Sequence, residues 1–218
     1  MDKGLEKIRG ITGVVLAGGQ SSRFGSNKAL ALLEGESLIG RACRVLSGLF
    51  DEVIIITNRP EEYSFLPFKK FQDIYPGFGP MSGIHSALNH AITEAVFTTA
   101  CDMPLLDERL IRFMVGLFAE DQGRKGPRPA AIIPRFEGRL QPLHAIYSKR
   151  ALKALEELLK GKRPKMANLA DMVPCRIVPE EDVLAQLDRR RLEAGLHPFR
   201  NINRKDDLKE IEAATCRY

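Results

Sequence analysis

The chain has 218 residues, 44% hydrophobic and 28% charged, a balance that fits one globular domain (1–218) with a real core and excludes a disordered or fibrous chain. The first ten residues lack the apolar stretch of a signal peptide, and no later run approaches the ~20 apolar residues of a membrane helix, so a soluble, cytoplasmic protein without a membrane partner is expected. The net charge of +5 suits phosphate-bearing ligands without requiring them.

Ile11-Thr12-Gly13-Val14-Val15-Leu16 is a short apolar run ending in glycines, as expected of a buried strand that feeds a loop. Ser37 stands where an N-cap would, ahead of the periodic Leu38, Ile39, Ala42, Val45, Leu46 and Leu49. Val53-Ile54-Ile55-Ile56 reads as a strand buried on both faces. A helical pattern from about Ser82 to Ala95 follows, then a third strand, Val96–Ala100, that ends at Cys101-Asp102-Met103-Pro104. Asp121–Pro129 has the composition of a flexible surface loop. Ala130–Pro134 and Leu143–Tyr147 flank Glu137-Gly138-Arg139 and can pair as a hairpin across that turn. Helices are expected at roughly 149–160 and 181–193, and a last one after Asn203, with Asn203 as cap and Asp206 supplying early negative charge.

Strands alternating with helices imply an α/β fold: a single Rossmann-like domain, its mostly parallel sheet flanked by helices. Ligands of open α/β sheets sit outside the carboxyl ends of the strands. That rule gathers the Gly18 loop, Asn58 and Asp102 on one rim, since each follows an apolar strand. Cys43, Cys101, Cys175 and Cys216 lie far apart, and the four histidines show no ligand spacing, which argues against a zinc site, a disulfide framework or any protein-only transition-metal site. The basic stretches Lys160–Lys165 and Arg189–Arg191 lack interleaved aromatics and read as solvated helix faces or ends, so no nucleic-acid partner is expected.

The strongest chemical feature is the loop after the first strand. Its glycines let backbone approach a ligand and present N–H groups to phosphate oxygens, while Arg23 and Lys28 supply cations for a triphosphate. It is neither a Walker loop nor Gly-x-Gly-x-x-Gly. Asp102, at a strand end, can hold Mg²⁺ against a triphosphate, because that ion takes few protein oxygens beside phosphates and water; the bland alternative is an aspartate opening the turn before Pro104. Cys101 reads as a small buried hydrophobe. Gly79-Pro80-Met81-Ser82-Gly83 opens a helix whose N–H groups can receive an anion, or is a plain helix entry.

Leu16-Ala17-Gly18-Gly19-x-Ser21-x-Arg23-x-Gly25-x-x-Lys28 resembles the signature loop of the molybdenum cofactor guanylyltransferases, the MobA family. Further matches follow in the family's order: Gly79–Ile84, Cys101–Pro104, Gln141–Tyr147 and Phe199–Asn203, with Phe24 in place of a common methionine. The resemblance implies a nucleotide-diphospho-sugar transferase type of fold and transfer of GMP from GTP to Mo-molybdopterin with release of pyrophosphate. It implies Mg²⁺ on Asp102, and Lys28, Arg23 and Asp102 as the catalytic set. Leu16, Ala17, Gly18, Gly19, Lys28, Asn58, Asp73 and Asp102 would bind GTP, with Asn58 or Asp73 reading the base, since a carboxylate accepts from guanine N1–H and the exocyclic amine. Gly79, Pro80, Ser82, Gly83, Gln141, His144, Asn201 and Asn203 would face the acceptor, although His144 reads equally as an ordinary core or surface histidine. Transient contact with molybdenum cofactor biosynthesis proteins or molybdoenzymes is a further implication. The rival readings are a nucleotidyltransferase with another base or acceptor, such as cytidylyl transfer to molybdopterin, and a non-catalytic nucleotide-binding protein.

Overall fold

Each apolar strand delivers its chain to the same edge of one sheet, and a helix or long connection carries it back, so the main strands run parallel. The computed structural model describes residues 6–18, 24, 27–123, 125–161 and 165–216. Strand β1 (Ile11–Leu16) leads through a loop and a 3-10 turn at Lys28–Leu30 to a two-stranded ribbon, β2 (Leu32–Leu33) and β3 (Glu36–Ser37), then to α1 (Leu38–Leu49), whose N-terminus the Ser37 hydroxyl caps. There follow β4 (Val53–Ile56), a 3-10 turn at Pro60–Tyr63, β5 (Lys69–Phe71), α2 (Pro80–His90), β6 (Ala95–Ala100) and α3 (Glu108–Gly123). The second half comprises β7 (Ala131–Phe136), β8 (Arg139–Leu140), β9 (Ala145–Ser148), α4 (Leu152–Lys160), α5 (Leu169–Met172), β10 (Cys175–Val178), α6 (Glu180–Leu184), α7 (Arg189–Glu193) and α8 (Lys205–Thr215).

The main sheet has the order β10-β7-β9-β6-β1-β4-β5, with β8 paired to β7. Only β8 and β9 oppose the common direction. From β1 the chain moves outward to β4 and β5, then returns to place β6 on the other side of β1. In doubly wound sheets such a reversal marks the crevice where ligands sit, which here falls at the carboxyl ends of β1 and β6.

Alternate side chains of the strands feed two cores. Val15, Ile55, Phe97 and Ile146 meet Leu46 and Leu49 of α1 and Leu110 and Met114 of α3. Val14, Leu16, Ile54 and Val96 meet Ile84 and Leu88 of α2 and Leu155 of α4. Each fully buried aliphatic side chain contributes about 1.5–3 kcal/mol. Gly13 is glycine because of packing: a Cβ there would lie 2.9 Å from Phe50 Cδ2. A third cluster, with Phe24, Leu33, Leu38, Leu105, Ile202 and Ile211, seats α8 against the start of the fold.

Several boundaries differ from those expected. Helix α2 begins at Pro80 and ends at His90; Thr93 already bonds Thr12 and the Ala95 carbonyl, so 93–95 serves the next strand. The stretch 181–193 is two short helices, restarted at Asp188, whose side chain accepts from Arg191 N. Arg204, not Asn203, is the N-cap of α8, and the Asp207 carboxylate accepts from both backbone N–H groups. The expected loop at 121–129 starts late: α3 runs to Gly123, held by buried Asp121, which accepts from Arg176 on β10 at 3.0 Å. The hairpin forms in two steps. β8 folds back on β7 across Glu137 and Gly138, both at positive φ, while β7 pairs β9 through Ala131–Tyr147 and Ile132–Ile146. Among the described residues no helix is long and apolar enough to cross a membrane.

Candidate active site

Backbone hydrogen bonds lace the strand ends into one rim. Cys101 N donates to Leu16 O (3.1 Å), Ala17 N to Ile56 O (2.8 Å) and Thr57 N to Phe71 O (2.8 Å). Ala17-Gly18, Asn58 and Asp102 therefore stand side by side at the carboxyl edge, as the strand pattern implied, and Asp73, after β5, joins them. Ala17 N–H is spent inside the sheet, whereas the next residue, Gly18, is exposed, with open space where a Cβ would lie. Gly19 and Arg23 lie outside the described residues. Phe24 does not; it is buried within the third cluster.

After Phe24 the chain reaches the turn at Lys28–Leu30, which Asn27 caps by accepting from Ala29 N at 3.0 Å. Lys28 Nζ lies 2.5 Å from Asp102 Oδ2, with the two side chains 18% and 20% exposed. From sequence the ammonium is expected to serve phosphates and the carboxylate a metal; the structure joins the two side chains directly, beside the carboxyl ends of β1 and β6. The Asp102 carbonyl accepts from Ile202 N at 2.9 Å, which brings exposed Asn201 and Asn203 to the same rim. No spacing rule reveals that bond.

Asn58 and Asp73 prove to be one unit. Asn58 Nδ2 donates to Asp73 Oδ2 (2.8 Å) and Asp73 N donates to Asn58 Oδ1 (3.0 Å). Burial pushes the Asp73 carboxyl above its ordinary range, opposed by Asn58 and by the nearby Ser82 hydroxyl. That hydroxyl is close but forms no bond of acceptable geometry: Ser82 Oγ and Asp73 Oδ1 are both buried without a partner. Asn58 thus engages one carboxylate oxygen of Asp73 and leaves the other, buried Oδ1, without a hydrogen bond.

Helix α2 starts from Gly79, at φ +60 and ψ −143, a conformation reserved for glycine, with Pro80 at the first helical position. A Cβ on Gly83 would sit 3.0 Å from Leu16 Cδ2, so this helix end presses directly on the end of β1. Its value as an anion cradle is reduced: Pro80 has no N–H, and the amides of Ser82 and Gly83 donate to Gly79 O. Gln141 turns inward, its Nε2 donating to Phe136 O and Arg139 O at 3.4 and 3.5 Å. His144 is fully buried, edge-on to Phe97 and Phe199 at 5.0 and 5.2 Å. Burial lowers its pKa to about 3, so it is a neutral core residue and not an acceptor contact in this structure. Cys101 is buried, its thiol pushed up to about 12, the small hydrophobe expected. Among the described residues no three His, Cys, Asp or Glu side chains gather as a metal site.

The family model of the MobA-like NTP transferase domain matches residues 13–174. A Clostridium perfringens protein named as a probable molybdenum cofactor guanylyltransferase is 35% identical over 198 residues, covering 90% of this chain and 93% of its own. The Desulfosudis oleivorans molybdenum cofactor guanylyltransferase is 30% identical over 205 residues, covering 94% and 95%. Among solved structures, molybdopterin-guanine dinucleotide biosynthesis protein A of Archaeoglobus fulgidus superposes with a TM-score of 0.77 at 24% identity, covering 95% of this chain and 100% of its own. A Mycobacterium tuberculosis protein solved in complex with manganese shares the fold at a TM-score of 0.55 and 16% identity, covering 78% and 87%.

Proposed function

This chain belongs to the MobA-like NTP transferase family, and on that premise we propose that it transfers GMP from GTP to Mo-molybdopterin, releasing pyrophosphate. The observation that carries the chemistry is the Lys28–Asp102 pair at the β1–β6 crevice, with Asn58–Asp73 on the same rim. The terminal phosphate of the acceptor is already an anion. Its oxygen attacks the α-phosphorus, the bond from that phosphorus to the β-phosphate oxygen breaks, and pyrophosphate leaves with no proton to remove. Catalysis is then alignment and charge neutralisation.

Lys28 supplies a compact cation to the transferring and leaving phosphates, and Gly18 its backbone N–H. Arg23 and Gly19 belong to the same reading by sequence. Asp102 would hold Mg²⁺, which when bound adds a second positive centre on the phosphates. Asp73, steadied by Asn58, would accept from guanine N1–H, where adenine presents an acceptor nitrogen instead. Asn201 and Asn203, fastened beside Asp102 through Ile202, face the acceptor. A cytoplasmic location belongs to this reading too: GTP is the donor, and all four cysteines are unpaired.

Pyrophosphate release with Mo-molybdopterin and Mg²⁺ tests the proposal, with GTP, CTP and ATP in competition. Turnover with GTP at least tenfold faster is expected. Preference for CTP would move the enzyme to cytidylyl transfer, and binding without turnover would make it a nucleotide sensor.

A further inference from the structure

We infer that Asn27, Glu62 and Tyr63 form a positioning clasp that holds Lys28 in place and ties the phosphate grip to the base-reading segment. The inference rests on the reading of Lys28 as the triphosphate lysine. A lysine has a flexible four-carbon stem, so its ammonium is only as well placed as the backbone that carries it. In this chain the residue just before Lys28 is held at both ends of its amide. Asn27 Oδ1 accepts from Ala29 N at 3.0 Å and so shapes the turn that begins with Lys28. Asn27 Nδ2 donates to the Tyr63 hydroxyl at 2.9 Å and to the Glu62 carboxylate.

The far side of the clasp is rigid. Tyr63 is 3% exposed and packs in the α1–α3 side of the core. Glu62 also accepts from Arg59 Nη1 at 3.2 Å. Arg59 directly follows Asn58, and its N–H donates to Thr57 Oγ1 at 3.1 Å. The connection thus runs from Lys28 through Asn27 and Glu62 to Arg59 and Asn58, whose amide holds Asp73. None of the three clasp side chains needs to touch nucleotide; they act through Lys28.

The clasp and the cap separate by mutation. Asn27→Ser keeps a cap acceptor and loses the amide donors; Tyr63→Phe removes only the hydroxyl. GTP and GMP affinities are measured by calorimetry for both variants and for Lys28→Ala, with melting temperature recorded. GMP lacks the β- and γ-phosphates, so it reports the site without the lysine's main partners. Tyr63→Phe and Asn27→Ser are expected to weaken GTP about three- to tenfold, as for loss of one or two ordinary hydrogen bonds, while GMP stays within about twofold. Lys28→Ala should change the GTP-to-GMP ratio further in the same direction. Equal losses for both nucleotides, or no loss for either, in the clasp variants while Lys28→Ala shifts the ratio would overturn the clasp alone. An unchanged ratio in Lys28→Ala would bring down the triphosphate lysine, and the clasp with it.

Discussion

Removing the Lys28 ammonium should have opposite effects on two ligands. Lys28 Nζ lies 2.5 Å from Asp102 Oδ2, the carboxylate that the proposed function gives to a divalent cation. Coulomb attraction at this separation is about 7 kcal/mol at an effective dielectric of 20. Both side chains are about one-fifth exposed, and water returns most of that on separation. The net value falls to about 1–3 kcal/mol, between an exposed pair and a charge-assisted hydrogen bond of the interior. A metal binding alone must displace the lysine at that cost, whereas one arriving with a triphosphate gives the ammonium new oxygens. Lys28→Ala should therefore tighten Mn²⁺ binding to the protein alone by about five- to 150-fold while weakening GTP. Lys28→Arg keeps the pair, so Mn²⁺ should stay weak and GTP recover in part, since a planar fork replaces a compact ammonium poorly. Electron paramagnetic resonance of free Mn²⁺ gives the first affinity and calorimetry the second. Equal Mn²⁺ affinity in wild type and Lys28→Ala would show that the ion does not compete for Asp102.

Asn58→Ala and Asp73→Asn should each relax the GTP-over-ATP preference more than they weaken triphosphate binding, and the double mutant should add little, because the two hydrogen bonds between them are shared. Competition titrations read this; additive losses would separate the residues. Gly79→Ala forces a Cβ into φ +60, ψ −143 and should cost about 1–3 kcal/mol in urea unfolding, with GTP affinity falling as the start of α2 shifts; an unchanged midpoint would mean the backbone relaxes. His144 is neutral in the folded state down to about pH 3, while the unfolded chain protonates it near 6.5. The unfolded form binds the extra proton, so stability falls as pH drops below about 6.5 toward 3, by up to roughly 1.4 kcal/mol per unit. His144→Leu should flatten that slope, and identical unfolding slopes at pH 7 to 5 would place the acid sensitivity elsewhere.

Periodicity was enough for the strands at 11–16, 53–56 and 96–100 and for the helix capped by Ser37, because those segments bury themselves whatever their neighbours are. Boundaries failed where a distant group intervened. Asp121 looks like the first residue of a Gly/Pro loop, yet Arg176, far along the chain, holds it in α3. His144 lies just before β9, where the sequence pattern leaves its direction open; Phe97 and Phe199 closing over it made it core. Tyr63 carried no chemical signal, since its role exists only once Asn27 lies beside it.

The residues after each apolar strand determined by themselves that Gly18, Asn58 and Asp102 belong to one rim, because parallel strands deliver their carboxyl ends to one edge. The loop motif determined the family and so the class of reaction. Tertiary structure alone decided how those residues are joined: that Asp102 meets Lys28, that Asn58 engages one oxygen of Asp73 and leaves the other, and that Ile202, through its N–H on the Asp102 carbonyl, brings Asn201 and Asn203 beside Asp102. Sequence pattern reports burial and local dihedral preference. Hydrogen bonds between residues 15, 74 or 100 positions apart depend on sheet order and register, which no local segment contains.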